Sequence, residues 1–344
     1  MFAYIVRRIA YAIPILIGIN LLTFALFFVV NSPDDMARMH LGMKRVTPDA
    51  IEKWKAEHGY DRPVLYNQAA SGIDRVTDTI FFEKSVRLFA FDFGHADDGR
   101  DISHDIKQRM WPSLAIAIPV LLIGLLVNIT FAMLMAFFRG TYLDVSGVVL
   151  CVMLMSISAL FYIIGGQFLL GKLFRLVPIS GYASGIDAVR FLVLPVVIGA
   201  VSGIGSGSRW YRTFFLEESG KDFIRTARAK GLGESRVMFV HILRNALVPI
   251  VTGIVVVLPL LFMGSLLLES FFAVPGLGSY TIDAISMQDF AIVRAMVFLG
   301  SVLYIIGLIP VSYTHLRAHE TTSHLSYAVF CLYRGGGGGG GGGG

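Results

Sequence analysis

Six long blocks of apolar residues divide this sequence, and they limit the folds that the chain can adopt. Each block is close to the length of about 20 residues that an α-helix needs to cross a bilayer. The candidate spans are residues 9–30, 113–137, 145–170, 189–206, 247–271 and 291–309. The fourth block is the least apolar because Gly and Ser interrupt it, although small residues allow close helix packing inside a membrane bundle. The blocks predict an all-α, polytopic membrane helix bundle.

The composition agrees with this fold class. Only 15% of the 344 residues are charged and the mean hydropathy is +0.68, whereas soluble domains carry about 25% charge. Cys151 and Cys331 are too few for a disulfide scaffold or a four-cysteine zinc site. The net charge of +5 does not indicate nucleic acid, because basic residues in a membrane protein mainly mark cytoplasmic loops.

Basic residues also predict the orientation. Arg7 and Arg8 precede the first block without an acidic neighbour, which favours a cytoplasmic N-terminus. Alternation then places residues 31–112 outside and residues 207–246 inside. The inner loop holds eight basic and four acidic residues. The outer segment holds twelve basic and fourteen acidic residues. A long outer segment crosses the membrane largely regardless of charge, so its balance does not contradict the layout.

One short helix is predicted in the outer segment. Thr47 is placed as its N-cap, Pro48 as its first residue and Gly59 as its terminator. This arrangement is typical of a helix that begins and ends in extramembrane structure.

Two incomplete motifs argue against nucleotide chemistry in the chain. Gly166, Gly171 and Lys172 match the start of a P-loop, but Leu173 stands where Ser or Thr must hold magnesium. Residues 92–94 spell Asp-Phe-Gly without the other kinase motifs. Paired carboxylates and metal-binding or nucleophile motifs are also absent from the spans, so we predict no catalytic residue and no metal site.

Glu269 is the one acidic residue within an apolar block. A charge inside a membrane span is a functional hint by default, which makes Glu269 a weak candidate for the substrate path. It lies near the predicted outer end of its span, where interfacial packing or local capping is the alternative.

The loop before the fifth span carries the most informative pattern. Asp222 is predicted to cap a helix over residues 223–230 that ends at Gly231. A second helix is predicted over about 234–245, up to Pro249 at the start of the span.

The first of these two helices has the composition of a docking element. Ala227 and Ala229 give it a low profile, and Arg225, Arg228 and Lys230 surround them. Such a helix could enter a groove on another protein. The alternative on physical grounds is a solvated basic loop held to anionic lipid.

Residues 225–232, RTARAKGL, and 241–249, HILRNALVP, closely resemble the coupling-loop signature of ABC-importer permeases in the oligopeptide/dipeptide/nickel branch. The general family motif begins Glu-Ala-Ala, whereas this chain has Arg225-Thr226-Ala227 and a longer spacing to Pro249, as expected for that branch. The resemblance covers about residues 1–309. The other similar stretches are YIVRRIAYAIPILIGINLLTF, HGYDRPVLYNQ, FDFG, LVPISGY and ESFFAVPGLGSYTIDAISMQDFAIVRA.

The resemblance implies a type I ABC-importer permease of the bacterial inner membrane that forms half of a translocation pathway. Its implied partners are a second homologous permease, two cytoplasmic ATPases that bind ATP-Mg, an external solute-binding protein and membrane lipid, with no nucleic acid. It implies no cofactor in this chain. Di- or oligopeptides are the implied cargo, with nickel or sugar-like cargo as alternatives. The implied ATPase-coupling residues are Arg225, Thr226, Ala227, Ala229, Lys230, Gly231, Leu232, Arg244 and Asn245.

Two other classes of protein are weighed against the permease. A stand-alone secondary transporter or channel would place ionisable residues at mid-membrane, and few are present. A membrane enzyme that used the outer segment would need a nucleophile and a base, and no such pair is recognisable.

These patterns divide the chain into four regions. Residues 1–30 form the N-terminal segment and first span, 31–112 the external segment and 113–309 the permease core. Residues 310–344 begin with PVSYTHLRAHET, which resembles translated sequencing-adapter read-through, and end in ten glycines, so we expect a non-native tail. A flexible linker for a fusion is the alternative for the glycines. The three histidines of the tail, His315, His319 and His324, are therefore not expected to bind a metal.

Overall fold

A computed structural model describes residues 2–28, 32–42, 47–68, 70, 72–183 and 185–309 of the chain. Within these ranges the regular structure is helical, apart from an isolated antiparallel bridge between His95 and Asp101. The expected non-native tail, residues 310–344, lies outside the described residues, so its origin stays a prediction.

The N-terminal third contains one long helix followed by short ones. They are α1 (Phe2–Phe28), α2 (Pro33–Leu41), α3 (Pro48–His58), α4 (Asp74–Thr77), a π-helical turn (Phe82–Val86) and a 3₁₀ turn (Arg87–Ala90). The prediction for α3 is confirmed, because Thr47 occupies the N-cap and Gly59 ends the helix in the left-handed conformation with φ +70°. Phe24 and Phe28 of α1 pack against Trp54 and Tyr60, so α1 is attached to the segment that follows it.

The centre of the fold is α5 (Ile102–Phe137), a helix of 36 residues. It begins 11 residues before the predicted span at residue 113. Asp101 caps it by accepting hydrogen bonds from the backbone N–H groups of Ser103 and His104, at 2.7 and 3.3 Å.

The predicted third span, residues 145–170, is not one straight helix. It consists of α6 (Tyr142–Ser156) and α7 (Ala159–Gly166), which continues as a π-helix over Gln167–Leu173, and the two parts are bent by 87°. Ile157 and Ser158 have extended backbones at the break. The carbonyl of Leu154 accepts a 2.8 Å hydrogen bond from the Tyr162 hydroxyl across the bend, and a 3.4 Å hydrogen bond from the N–H of Ile157.

The predicted fourth span also contains a break. A 3₁₀ turn (Gly185–Asp187) leads into α8 (Ala188–Ser202), and α9 (Ile204–Ser219) follows after Gly203. The small residues permit close packing, as expected. A Cβ atom on Gly199 would lie 2.8 Å from Val120 Cγ2, and one on Gly205 would lie 2.6 Å from the Cys151 carbonyl oxygen.

The remaining helices form the loop element and the last two spans. They are α10 (Asp222–Ala229), α11 (Glu234–Arg236), a π-helix (Val237–Ile242), α12 (Leu243–Leu260), a 3₁₀ turn (Leu261–Met263), α13 (Leu266–Phe271), α14 (Leu277–Met287) and α15 (Phe290–Ile309). The predicted second loop helix is therefore not separate from the fifth span. Helical turns run from Glu234 through Pro249 to Leu260, because a membrane helix tolerates proline when neighbouring groups satisfy the freed backbone.

The described residues contain five helices that are long and apolar enough to cross a membrane, and a sixth span if the bent pair counts as one. α5 packs against α6, α8, α9 and α14. The prediction of an all-α bundle with about six spans is confirmed.

Candidate functional site

The loop between α9 and α12 holds the helix α10. The helix begins at Asp222 and ends at Ala229, one residue earlier at each end than predicted. Lys221, not Asp222, occupies the N-cap position, because its extended backbone precedes the first helical residue, and Asp222 lies in the first turn. An acidic residue there and Arg228 in the last turn both complement the helix dipole.

One face of α10 is buried against the ends of the spans. Ile224 is fully buried and Ala227 is 6% exposed. Burial of a side chain such as Ile contributes about 1.5–3 kcal/mol, so α10 is fixed to the bundle. The buried partners in this cluster are Ala132, Ala136, Tyr211, Phe215, Val237, Met238, Ile242, Ala246 and Ile250.

The opposite face of α10 is exposed. It carries Phe223, which is 40% exposed, together with Arg225, Thr226, Ala229 and Lys230. Ala227 therefore does not share a surface with Ala229. The prediction that both alanines give α10 a low profile for docking does not hold for Ala227, because residues two positions apart on an α-helix point about 200° apart.

A salt bridge closes the loop after α10. The Nε and Nη2 atoms of Arg228 lie 2.8 and 3.0 Å from the two carboxylate oxygens of Glu234. Gly231 turns the chain between them with φ +78°, a conformation that glycine adopts cheaply. Leu232 is partly buried against the α10 cluster, and its N–H donates to the Ala227 carbonyl at 3.3 Å.

Arg244 and Asn245 are the last two of the implied ATPase-coupling residues. Both are exposed on α12, and Asn245 Nδ2 donates a 2.8 Å hydrogen bond to the carbonyl of His241 in the same helical stretch. The structure does not bring these two residues onto the exposed face of α10.

The sequence did not identify the contacts that hold α9, which leads into the loop. Asp144 of α6 and Arg212 of α9 form an ion pair with two hydrogen bonds, at 2.9 and 2.8 Å. Deeper in the bundle, the Ser208 hydroxyl donates to Asn128 Oδ1 of α5 at 2.9 Å, and both residues are buried. Isolated polar residues in apolar blocks are the signal that could have found them.

Glu269 is fully buried at a junction of helices. Its carboxylate accepts hydrogen bonds from the backbone N–H groups of Ser265, Gly278 and Ser279, at 3.0, 2.7 and 3.2 Å. The last two lie in the first turn of α14, where the dipole favours an anion. Glu269 therefore joins α13 to α14, and a further role in a substrate path stays a prediction.

Among the described residues, no group of three or more His, Cys, Asp or Glu side chains is arranged to hold a metal ion. Besides the exposed face of α10, the described residues form a polar cavity between α3, residues 83–99 and α15.

A bundle of this kind, with a short basic helix fixed beneath its spans, is that of a multi-pass membrane transport component. Residues 128–316 match the family model described as "Binding-protein-dependent transport system inner membrane component", and residues 1–85 match the model of its N-terminal part. The chain belongs to this family and is a multi-pass protein of the inner membrane.

Two relatives illustrate the similarity. The Di/tripeptide transport system permease protein DppB of Pseudomonas aeruginosa (strain UCBPP-PA14) is 30% identical over 334 residues, covering 89% of this chain and 94% of the relative. The Dipeptide transport system permease protein DppB of Escherichia coli (strain K12) has the same identity and coverage. Both names describe transport subunits and not enzymes.

Proposed function

We propose that the chain is one of two permease subunits of an ATP-driven importer for di- or oligopeptides. The family supports a transport role, and the names of the relatives support peptides as the cargo. The proposed partners are a second permease, an external solute-binding protein and two cytoplasmic ATPases, which would bind ATP-Mg.

One observation carries the mechanical part of the proposal. α10 presents an exposed face with Phe223, Arg225 and Ala229, while Ile224 and Ala227 fix its other face to the bundle. A partner that binds the exposed face can therefore move α10 only together with the helices beneath it.

The buried cluster under α10 gives this movement a route into the membrane. It contains side chains of α5, α9 and α12, all of which run into the spans. Packed interiors transmit displacement because they have few voids. ATP-driven closure of the ATPases would thus shift the spans between outward and inward access.

The experiment compares two variants on the exposed face of α10, Arg225→Glu and Ala229→Trp. Both should leave the apparent melting temperature unchanged, since neither side chain is buried, but should abolish co-purification with the cognate ATPases and ATP-dependent uptake of a labelled dipeptide. Ala90→Trp makes the same enlargement at an exposed alanine outside α10 and should retain both activities.

Ala227→Trp serves as a further control for packing. Since Ala227 is buried, the larger side chain should lower the melting temperature, and any loss of uptake would have a different origin. Full uptake and normal ATPase recovery in both Arg225→Glu and Ala229→Trp, at equal membrane levels, would refute coupling through α10.

A further inference from the structure

A polar cavity of about 520 Å³ lies between the end of α3, residues 83–99 and the start of α15. Small-molecule sites typically enclose about 300–1,000 Å³, so its size suits a small ligand. Most of its lining belongs to the segment that we propose to be external. The cavity is far along the chain from α10.

Arg294 of α15 gives the cavity a buried donor without a partner. The residue is 5% exposed, and its Nη1 atom has no hydrogen-bond partner among the described residues. Its Nε donates to the Phe290 carbonyl at 3.4 Å, and its guanidinium lies 5.5 Å from the centroid of the Phe28 ring. A buried charged donor left unpaired is costly, which indicates a place for an oxygen of a ligand.

Glu83 brings a negatively charged carboxylate to the same cavity. Its buried Oε2 atom forms an ion pair with Arg62, 2.9 Å from Nη1, and the Glu83 side chain as a whole is 23% exposed. Gly59, with φ +70°, brings the end of α3 close, so that a Cβ atom there would lie 3.6 Å from both carboxylate oxygens. The cavity thus offers a partly exposed carboxylate to a cation as well as a guanidinium to an anion.

The other charges of the cavity are balanced. Four acidic and four basic side chains line it. Asp97 and Asp289 lie within electrostatic reach of Arg294, and burial lowers the pKa of Lys84. A cavity without net charge favours a ligand that carries one charge of each sign over a polyanion or a polycation.

We propose that this cavity binds a short zwitterionic peptide, with the terminal carboxylate at the Arg294 guanidinium and the terminal ammonium at the Glu83 carboxylate. Arginine suits a carboxylate because its planar donors match the two oxygens. The choice of a peptide among zwitterions rests on the proposed function, whereas the charge requirements rest on the cavity alone.

The experiment measures binding of Ala-Ala to the purified full-length chain in detergent by calorimetry, beside two derivatives that each lack one charge. Ala-Ala amide and N-acetyl-Ala-Ala should each bind about tenfold or more weakly than Ala-Ala, as expected for loss of a charged hydrogen bond. The Arg294→Gln protein should bind Ala-Ala and Ala-Ala amide equally. The Glu83→Gln protein should bind Ala-Ala and N-acetyl-Ala-Ala equally.

Arg87→Gln is the matched control, because Arg87 lines the same cavity but is exposed, and it should keep both preferences. No binding of Ala-Ala to the wild-type chain at about 10 mM, or unchanged preferences in both Arg294→Gln and Glu83→Gln, would overturn the proposal. The affinities of the wild-type chain for the three peptides test the proposal without any variant. They remain decisive even if the Arg294→Gln protein misfolds.

Uptake in cells separates this proposal from the proposed function. ATP-dependent peptide uptake by a chain that does not bind Ala-Ala when purified would overturn the cavity alone. Preserved binding with its charge preferences, in a complete system that takes up no peptide, would overturn the importer alone.

Discussion

Arg212 of α9 and Asp144 of α6 are joined by two hydrogen bonds, with Nε 2.9 Å from Oδ1 and Nη2 2.8 Å from Oδ2. The side chains are 20% and 8% exposed, so water screens the pair poorly. Asp144 Oδ2 also accepts a 3.1 Å hydrogen bond from the N–H of Gly140. The pair therefore fixes the turn before α6 to the helix that leads into the α10 loop.

Asp144→Ala should destabilise the protein by about 2–3 kcal/mol, because it leaves the Arg212 guanidinium unpaired. Removing one partner of a fully buried ion pair costs about 3–5 kcal/mol. The partial exposure of Arg212 reduces this loss of stability. Thermal unfolding of the purified protein measures the effect. Asp222→Ala is the control, since Asp222 is 94% exposed and lies 3.5 Å from Arg225. Equal melting temperatures for the two variants would contradict a stabilising role for the pair.

Gly231→Ser should cost about 1–2 kcal/mol, the usual penalty for a non-glycine residue in the left-handed conformation. Space is not the reason, because a Cβ atom at Gly231 would meet nothing within 4 Å. Gly233→Ser is the matched control. Gly233 has φ −62° and ψ 147° at the N-cap of α11, where serine is favoured. The unfolding free energy of the Gly233→Ser protein should therefore equal or exceed that of the wild type. Equal unfolding free energies in the two variants would show that the φ at Gly231 imposes no strain.

The sequence allowed the number of spans, the α3 helix and the position of the α10 loop to be predicted. Each depends on local signals, namely apolar length, a proline after a capping residue, and a glycine at a helix end. The Thr47, Pro48 and Gly59 pattern illustrates this, because every residue acts within one or two turns of its own position.

The errors concern features that depend on distant residues. The burial of Ala227 depends on Phe215 and Ile242, which surround α10 only in the folded bundle, so local sequence does not predict it. The 87° bend between α6 and α7 is accommodated by Tyr162 through the Leu154 carbonyl, and no proline or glycine marks it. Two of the three backbone groups that donate to Glu269, those of Gly278 and Ser279, likewise come from α14, beyond the end of its own helix.

The stability of the protein should fall at acidic pH through Asp101, the N-cap of α5. Hydrogen bonds from the backbone N–H groups of His104 and Ser103 hold the pKa of Asp101 below its ordinary value. Because the folded pKa is the lower one, the ionised carboxylate stabilises the fold above the ordinary pKa, and this contribution is lost as the pH falls through the folded value.

Asp101→Asn tests this dependence, since asparagine caps a helix about as well as aspartate but does not titrate. Between about pH 5 and about pH 3, the variant should lose less of its unfolding free energy than the wild type loses. Asp61→Asn changes an exposed aspartate outside any helix and should follow the wild-type curve. Identical pH profiles for wild type and Asp101→Asn would remove Asp101 as a source of acid sensitivity.

The predicted orientation rests on two charge patterns: the loop over residues 207–246 holds eight basic and four acidic residues, and Arg7 and Arg8 precede the first span. Single cysteines at Lys53 and Ser235 test it, in a background with Cys151→Ser and Cys331→Ser. Lys53 lies on α3 with a side chain 79% exposed, and Ser235 is exposed on α11.

An impermeant maleimide should label the Lys53→Cys protein in intact spheroplasts, because α3 belongs to the segment that we propose to be external. The Ser235→Cys protein should be labelled only after the membrane is permeabilised. Expression without ATPase subunits keeps Ser235 from being covered by a partner, so that protection reports the membrane alone. Labelling of Ser235→Cys in intact spheroplasts, with Lys53→Cys protected, would reverse the orientation and place α10 on the wrong side for a cytoplasmic ATPase.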